Sequence, residues 1–253
     1  MRYINQTKLP YEIIFVDDGS KDNSVEIIRN IIKSYSKIIS IKLIRNKKNL
    51  GIHLSVLNNY LGASGDFIYF GSITDGIEKN FFELASIALT KYKNIKLIFG
   101  CVRVVDKNFN TIYIGKPMGL TKSLKLSPEY FYEKVLSKEK LGFSLSTSTI
   151  YKKDIIKNFN FLDPKLKGYG DTFNINAICL THESYYINDI CSFWVFDKKS
   201  YSQKVSIIEN IKMYLCVSNL ILSSKYNSIF PFYYKLRWIF IYPIKILYRF
   251  IFK

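Results

Sequence analysis

With 253 residues, 48% of them hydrophobic, the chain is long enough to bury a substantial core, and one catalytic-size domain with an appendage is expected. Its 37 Lys and Arg against 20 Asp and Glu give a formal net charge of +17, which calls for a partner that tolerates positive charge: nucleic acid, anionic lipid or a phosphorylated substrate. The sequence carries no helix-turn-helix signature and no RNP-like aromatic string, which argues against nucleic acid, and Cys101, Cys179, Cys191 and Cys216 lack the CxxC spacing of a zinc site.

Residues 1–6 lack the apolar stretch of a secretory signal, so none is expected there. Residues 13–16, IIFV, form an apolar run that ends in Asp17-Asp18-Gly19-Ser20. That pattern predicts a buried parallel strand delivering two carboxylates to the carboxyl edge of a sheet, where α/β proteins bind ligands. Asn23 and Glu26, at capping-box spacing, predict a helix that packs Ile27, Ile28, Ile31 and Ile32 back on the sheet. An Asp pair at a strand end also serves as turn and helix cap, and taken alone the two residues leave both readings open.

A strand, then Asp-Asp-Gly-Ser, then a helix closely resembles the nucleotide-binding segment of glycosyltransferase family 2, enzymes of GT-A fold that use nucleotide-sugars. The resemblance implies an α/β domain over residues 1–204, a mostly parallel sheet flanked by helices, in which Asp17, Asp18 and Ser20 contact the donor. In that family a strand and a helix precede the acidic strand. Here Ile4-Asn5-Gln6-Thr7 looks like the tail of that helix, and the first strand is expected to be lacking.

Ile39, Ile41 and Leu43 alternate with polar residues as in a strand with one buried face. Asn49-Leu50-Gly51 then opens a helix toward Ser64, and His53 inside it reads as a surface or packing residue. Gly65-Asp66 and the strand 67–70 resemble the family segment that leads into a metal-binding Asp-x-Asp. In the stretch that follows, Ser72 and Thr74 stand where acids are usual and Asp75 is the carboxylate. Asp75 is therefore the candidate ligand for a divalent metal, Mg²⁺ or Mn²⁺, with a simple turn before Gly76 as the alternative. Residues 81–92 predict an amphipathic helix, and 95–105 a strand that pairs with 111–114.

The run 143–149, FSLSTST, precedes a predicted strand end at 150–153. Phe161-Leu162-Asp163, then Gly170-Asp171-Thr172, resembles the family's Phe-Asp stretch followed by an acidic pair at a helix start. Asp171 is the candidate general base, since an inverting transfer needs a carboxylate within reach of the acceptor hydroxyl. Helix capping alone also accounts for an Asp there. Residues 185–189 and 191–196 predict two short strands.

From residue 205 on, Glu209 is the only acid, while Lys212, Lys225, Lys235, Arg237, Lys245, Arg249 and Lys253 recur among aromatics and isoleucines. Residues 205–253 are expected to form a basic, amphipathic helical tail lying on an anionic membrane surface, with Trp238 and Tyr242 at headgroup depth. The reading as a whole is an inverting glycosyltransferase at the cytoplasmic face of the cell membrane. It would move a sugar from a nucleotide-sugar to a lipid-linked or saccharide acceptor in surface polysaccharide biosynthesis. The alternative is a catalytically degenerate relative acting as a membrane-associated interaction protein.

Overall fold

A computed structural model describes residues 2–138, 146–159, 165–197 and 205–251. The sequence readings at 143–145, 161–163 and 253 therefore fall outside the described residues, as do the side chains of Lys245 and Arg249.

The acidic stretch forms strand β1 (Glu12–Asp17), followed by helix α1 (Ser24–Tyr35), strand β2 (Ser40–Arg45) and helix α2 (Ile52–Asn59). β1 and β2 pair in parallel, with Asp17 opposite Arg45, as a two-stranded sheet of their own. The expected capping box at α1 is not formed: Asn23 precedes the helix but makes no side-chain cap bond. Nor does Ile27 pack inward, since it is 50% exposed while Val25 is the buried residue of that helix. Residues 2–4 form a turn that Gln6 ties to the core, its side-chain amide donating to the Arg2 and Glu78 carbonyls.

The remaining strands are β3 (Phe67–Tyr69), β4 (Gly76–Ile77), β5 (Leu97–Val105), β6 (Thr111–Gly115), β7 (Leu124–Leu126), β8 (Thr149–Lys152) and β9 (Ser184–Val195). They make one seven-stranded sheet in the order β3-β8-β5-β9-β4, with β6 on the outer stretch of β5 and β7 on β9. The sheet is mixed: β5 and β9 run parallel, and the other pairs are antiparallel. Where two short strands were expected at 185–196 there is a single long one, β9. Its register against β5 slips around Gly100 and Cys101, and this irregularity produces the apparent break in the sequence pattern. Gly100 has a steric reason: a Cβ there would stand 2.2 Å from the Cys191 sulfur.

Helices α3 (Phe81–Lys91), α4 (Pro128–Phe131), α5 (Lys153–Ile156) and α6 (Gly170–Cys179) flank the sheet. α3 covers one face through Phe81, Ala85 and Ala88, which meet Ile95 and Ile98. Phe173 and Ile178 of α6 join Leu97 and Phe99 in a larger core on the other side.

The last segment comprises α7 (Ile207–Leu222), α8 (Phe232–Leu236), a wide π-type turn over Arg237–Ile241, and α9 (Tyr242–Ile251). The wide turn lies just before Pro243, which has no N–H to continue a regular helix. α7 opens with a capping box the sequence reading missed, Ser206 and Glu209 each bonding the other's backbone N–H. Val217, Ile221, Phe230 and Trp238 of this segment fill the larger core beside Phe173. Trp238 is thus not at a membrane-facing surface: it is 4% exposed, and its indole N–H donates to the Ser218 hydroxyl at 3.0 Å.

Candidate active site

The two carboxylates at the end of β1 have different surroundings. Asp17 is buried, accepts from the Ser20 N–H at 3.3 Å, and pairs with Arg45 Nε at 3.3 Å. Arg45 also donates to the Ser20 carbonyl, so Ser20 is bound to this pair on both of its backbone polar groups. Gly19 makes the turn possible, with φ +78° and the Lys48 backbone so close that a Cβ would lie 3.0 Å from its carbonyl carbon.

Asp18 reaches across to the start of α2. It accepts from the N–H groups of Leu50 at 2.9 Å and Gly51 at 2.8 Å, from Asn46 Nδ2 at 2.8 Å and from the Ser55 hydroxyl at 2.6 Å. Crowding by the protein pushes this carboxyl up, but the donors from Ser55, Leu50, Asn46 and Gly51 outweigh it and hold the group at about 2. A carboxylate at a helix amino terminus also meets the positive end of the helix dipole. Asp18 therefore fixes where α2 begins, and His53 lies in the first turn that follows.

A second pair of carboxyls, Asp75 before β4 and Asp171 on α6, is in the opposite electrostatic condition. Asp75, just before β4, is half-buried and accepts from the Val195 N–H at 3.2 Å. Desolvation raises its pKa, against the lowering effect of the Val195 N–H and the Ser72 side chain. Tyr69 and Tyr3 stand close by. The Tyr69 hydroxyl donates to the Thr147 carbonyl at 2.9 Å, and the Tyr3 hydroxyl to the Ser72 carbonyl at 3.0 Å.

Residues 146–148 link this corner to Asp171. Thr147 shares a hydroxyl contact with Ser192 at 3.1 Å, Ser148 donates to the Gly100 carbonyl at 2.7 Å, and the Ser146 side chain bonds the Asp171 carboxyl. Asp171 is not the cap of α6: that place belongs to Tyr169, and Asp171 sits one residue into the first turn. Desolvation raises its pKa, partly offset by the Ser146 bond and by the charge of His53. A carboxyl short of solvent beside a titratable neighbour is the environment that tunes an acid for proton transfer.

His53 is the residue the sequence reading passed over. Its Nδ1 is buried without a hydrogen-bond partner, and its charge acts on Asp171. A lone His inside a helix gives no signal of this in the sequence, because the neighbour that matters lies on α6. Asp75 lies by Tyr69, which bonds Thr147, and Asp171 lies by Ser146 and His53, so residues 146–148 connect the two carboxyls, while α2 carries both His53 and the N–H groups that Asp18 accepts from. Asp17 and Ser20 stay with Arg45 at the end of β1.

Whether a divalent metal fits rests on the donor set beside Asp75. The Ser72 and Thr74 hydroxyls bond each other at 2.8 Å, and among the described residues no group of three or more His, Cys, Asp or Glu is placed to hold a metal. One carboxylate suffices where a substrate diphosphate and water supply the other oxygens, as Mg²⁺ commonly arranges. The residues fit a cation brought in with the donor, and do not fit a resident all-protein site.

Comparison with known proteins bears on the same segments. The family model "Glycosyl transferase family 2" matches residues 2–72, which include Asp17, Asp18, Ser20 and His53. The cholesterol galactosyltransferase of Borreliella burgdorferi (strain ATCC 35210 / DSM 4680 / CIP 102532 / B31) is 33% identical over 81 residues. That match covers 32% of this chain, and the chain spans only 22% of that relative's length. Among solved structures, S. aureus TarS 1-349 in complex with UDP superposes with a TM-score of 0.58 at 14% identity, covering 93% of this chain and 71% of that one. GalNAc-T7 with UDP, GalNAc and Mn²⁺ gives a TM-score of 0.55 at 14% identity, over 88% of this chain and 45% of that one. The chain has an α/β fold of GT-A type, and over residues 2–72 its resemblance to glycosyltransferase family 2 is established.

Proposed function

We propose that the protein is an inverting glycosyltransferase that moves a sugar from a nucleotide-sugar to an acceptor hydroxyl. The observation that carries this reading is the placement of Asp171: a desolvated carboxyl, bonded by Ser146 and facing His53, on the same three-residue link as the Asp75 corner. The family match over residues 2–72 and the UDP named in the TarS and GalNAc-T7 structures support a nucleotide-sugar as donor.

In this mechanism Asp17, Asp18 and Ser20 form the nucleoside side of the site, and Asp18 in addition locks the start of α2. Asp75 would hold Mg²⁺ or Mn²⁺ on the donor diphosphate, where a cation neutralises the charge that develops on the leaving group. Asp171 accepts the proton of the acceptor hydroxyl as the new glycosidic bond forms. Its raised pKa makes it a stronger base than an ordinary Asp once ionised. His53 stabilises that ionised form and so restores part of what desolvation costs.

The acceptor is proposed to be a saccharide or lipid-linked saccharide of a surface polysaccharide. A second reading, a degenerate relative without transfer activity, is favoured by one observation: Asp18 already accepts from four protein donors. Incubation with a panel of nucleotide-sugars, with and without Mn²⁺ or Mg²⁺, separates the two. Release of the nucleoside diphosphate from at least one donor, lost in Asp171→Asn, is the expected result. Failure to bind or turn over any donor would overturn the transferase reading.

A further inference from the structure

No helix among the described residues is long and apolar enough to cross a membrane. The carboxyl-terminal helices nevertheless expose an unusual amount of apolar surface. On α7, Ile208, Ile211 and Leu215 recur at spacings of three and four, opposite the core residues Met213 and Val217. Ile208 is 63% exposed and Leu215 is 52% exposed. On the segment packed beside it, Phe240 and Ile244 are each 65% exposed, on the side away from Trp238 and Tyr242. Those two aromatics stack on each other at 4.3 Å and on Tyr214 of α7, so the two helices form one rigid unit with an outward apolar stripe on each.

Charge decides what covers these stripes. From residue 205 onward Glu209 is the only acid, while Lys212 stands on α7 one residue after Ile211, and Lys225, Lys235 and Arg237 follow in the same segment, the last two donating to Asn227 and to the Ser137 carbonyl. Burying the stripes against a second copy would bring two such cationic sets together out of water, with no matching acids to offset them. A surface of anionic headgroups over hydrocarbon offsets the cations and takes up the apolar side chains together.

We propose that the α7–α9 unit docks on an anionic lipid bilayer, with Ile208, Ile211, Leu215, Phe240 and Ile244 entering the headgroup boundary. Unlike the sequence reading, which placed Trp238 and Tyr242 in the lipid, this assigns them to the internal stack that holds the two stripes together. The inference goes beyond the transferase reading and does not depend on it, because lipid binding is measured without donor or acceptor.

The test is co-sedimentation of the full chain with vesicles of phosphatidylcholine alone and of phosphatidylcholine with phosphatidylglycerol. Wild type is expected to sediment with the anionic vesicles only, and less as salt rises. The double variant Ile211→Glu/Leu215→Glu and the single variant Ile244→Glu are each expected to bind about tenfold more weakly. Ile87→Glu, at an exposed position on α3 outside this face, is expected to bind like wild type. Circular dichroism checks the fold of each variant, and Leu215→Asn replaces any that loses helix. Absence of wild-type binding, or stripe variants that bind as wild type does, would overturn the proposal. So would a wild-type dimer in sedimentation velocity that the stripe variants abolish while vesicle binding persists, since the occupant would then be a second copy.

Discussion

Two pairs of carboxyls, Asp17 with Asp18 and Asp75 with Asp171, sit in the same molecule under opposite conditions. The first pair lies at the end of a two-stranded parallel sheet where donors surround it: Arg45 and the Ser20 N–H for Asp17, and four groups around the start of α2 for Asp18. The second pair lies beside the larger sheet, Asp75 just before β4 and Asp171 in the first turn of α6, where desolvation dominates and raises the pKa of both groups. A saturated carboxylate holds structure and presents a fixed charge. A desolvated one costs stability and is poised to exchange a proton. The division of labour between binding and chemistry follows from this difference.

The largest effect should come from breaking the desolvated pair. Asp171→Asn is expected to lower donor turnover by about 10²- to 10⁴-fold, measured as initial rates of nucleoside diphosphate release. The same substitution should leave the urea midpoint equal to or above that of wild type. A carboxyl whose folded pKa is raised destabilises the fold as pH rises past its ordinary value, and the amide removes that cost.

The scaffold beneath that pair is the next target. Gly100→Ala puts a Cβ 2.2 Å from the Cys191 sulfur, on the residue whose carbonyl holds Ser148. A loss of about 1–3 kcal/mol in denaturant unfolding is expected. The double variant Gly100→Ala/Cys191→Ala should recover part of it, since the sulfur is removed while the Cys191 Cβ still stands 2.9 Å away.

Asp18→Ala probes the saturated pair. It removes the acceptor of the Leu50 and Gly51 N–H groups, the second of them open to water, and should cost about 1 kcal/mol, read as a lower melting temperature. The wild-type carboxyl is held at about 2, below its ordinary 3.8, so its stabilisation is present above that ordinary value and lost as pH falls toward 2. Acid unfolding of the variant should accordingly depend less on pH across that window. The smallest effect is expected from His53→Gln: it removes the charge that lowers the Asp171 pKa, so the acid limb of the rate profile should move to higher pH.

Much of the fold was legible in local pattern. The IIFV run, half-buried where a buried strand was expected, the Asp-Asp-Gly-Ser turn, the helix at 81–91 and the hairpin of β5 and β6 appear where periodicity and turn chemistry put them, and the helix at 170–179 where the family resemblance did. What was not legible depends on partners distant in sequence. Asp18 finds its donors 28 to 37 residues onward, at the start of another element. His53 gains meaning only from Asp171, brought near by folding. Trp238 reads as an interfacial aromatic until Ser218 and Tyr214 are seen to enclose it. Asn23 and Glu26 had capping spacing without the bond, while Ser206 and Glu209 had both.

The most direct measurement is the pH dependence of donor turnover by the wild-type protein. With Asp171 as a desolvated base, activity should rise with pH along a single acid limb whose midpoint lies above the ordinary carboxylate value of 3.8. A rate that is flat through that region, or a limb that persists unchanged in Asp171→Asn, would contradict the account.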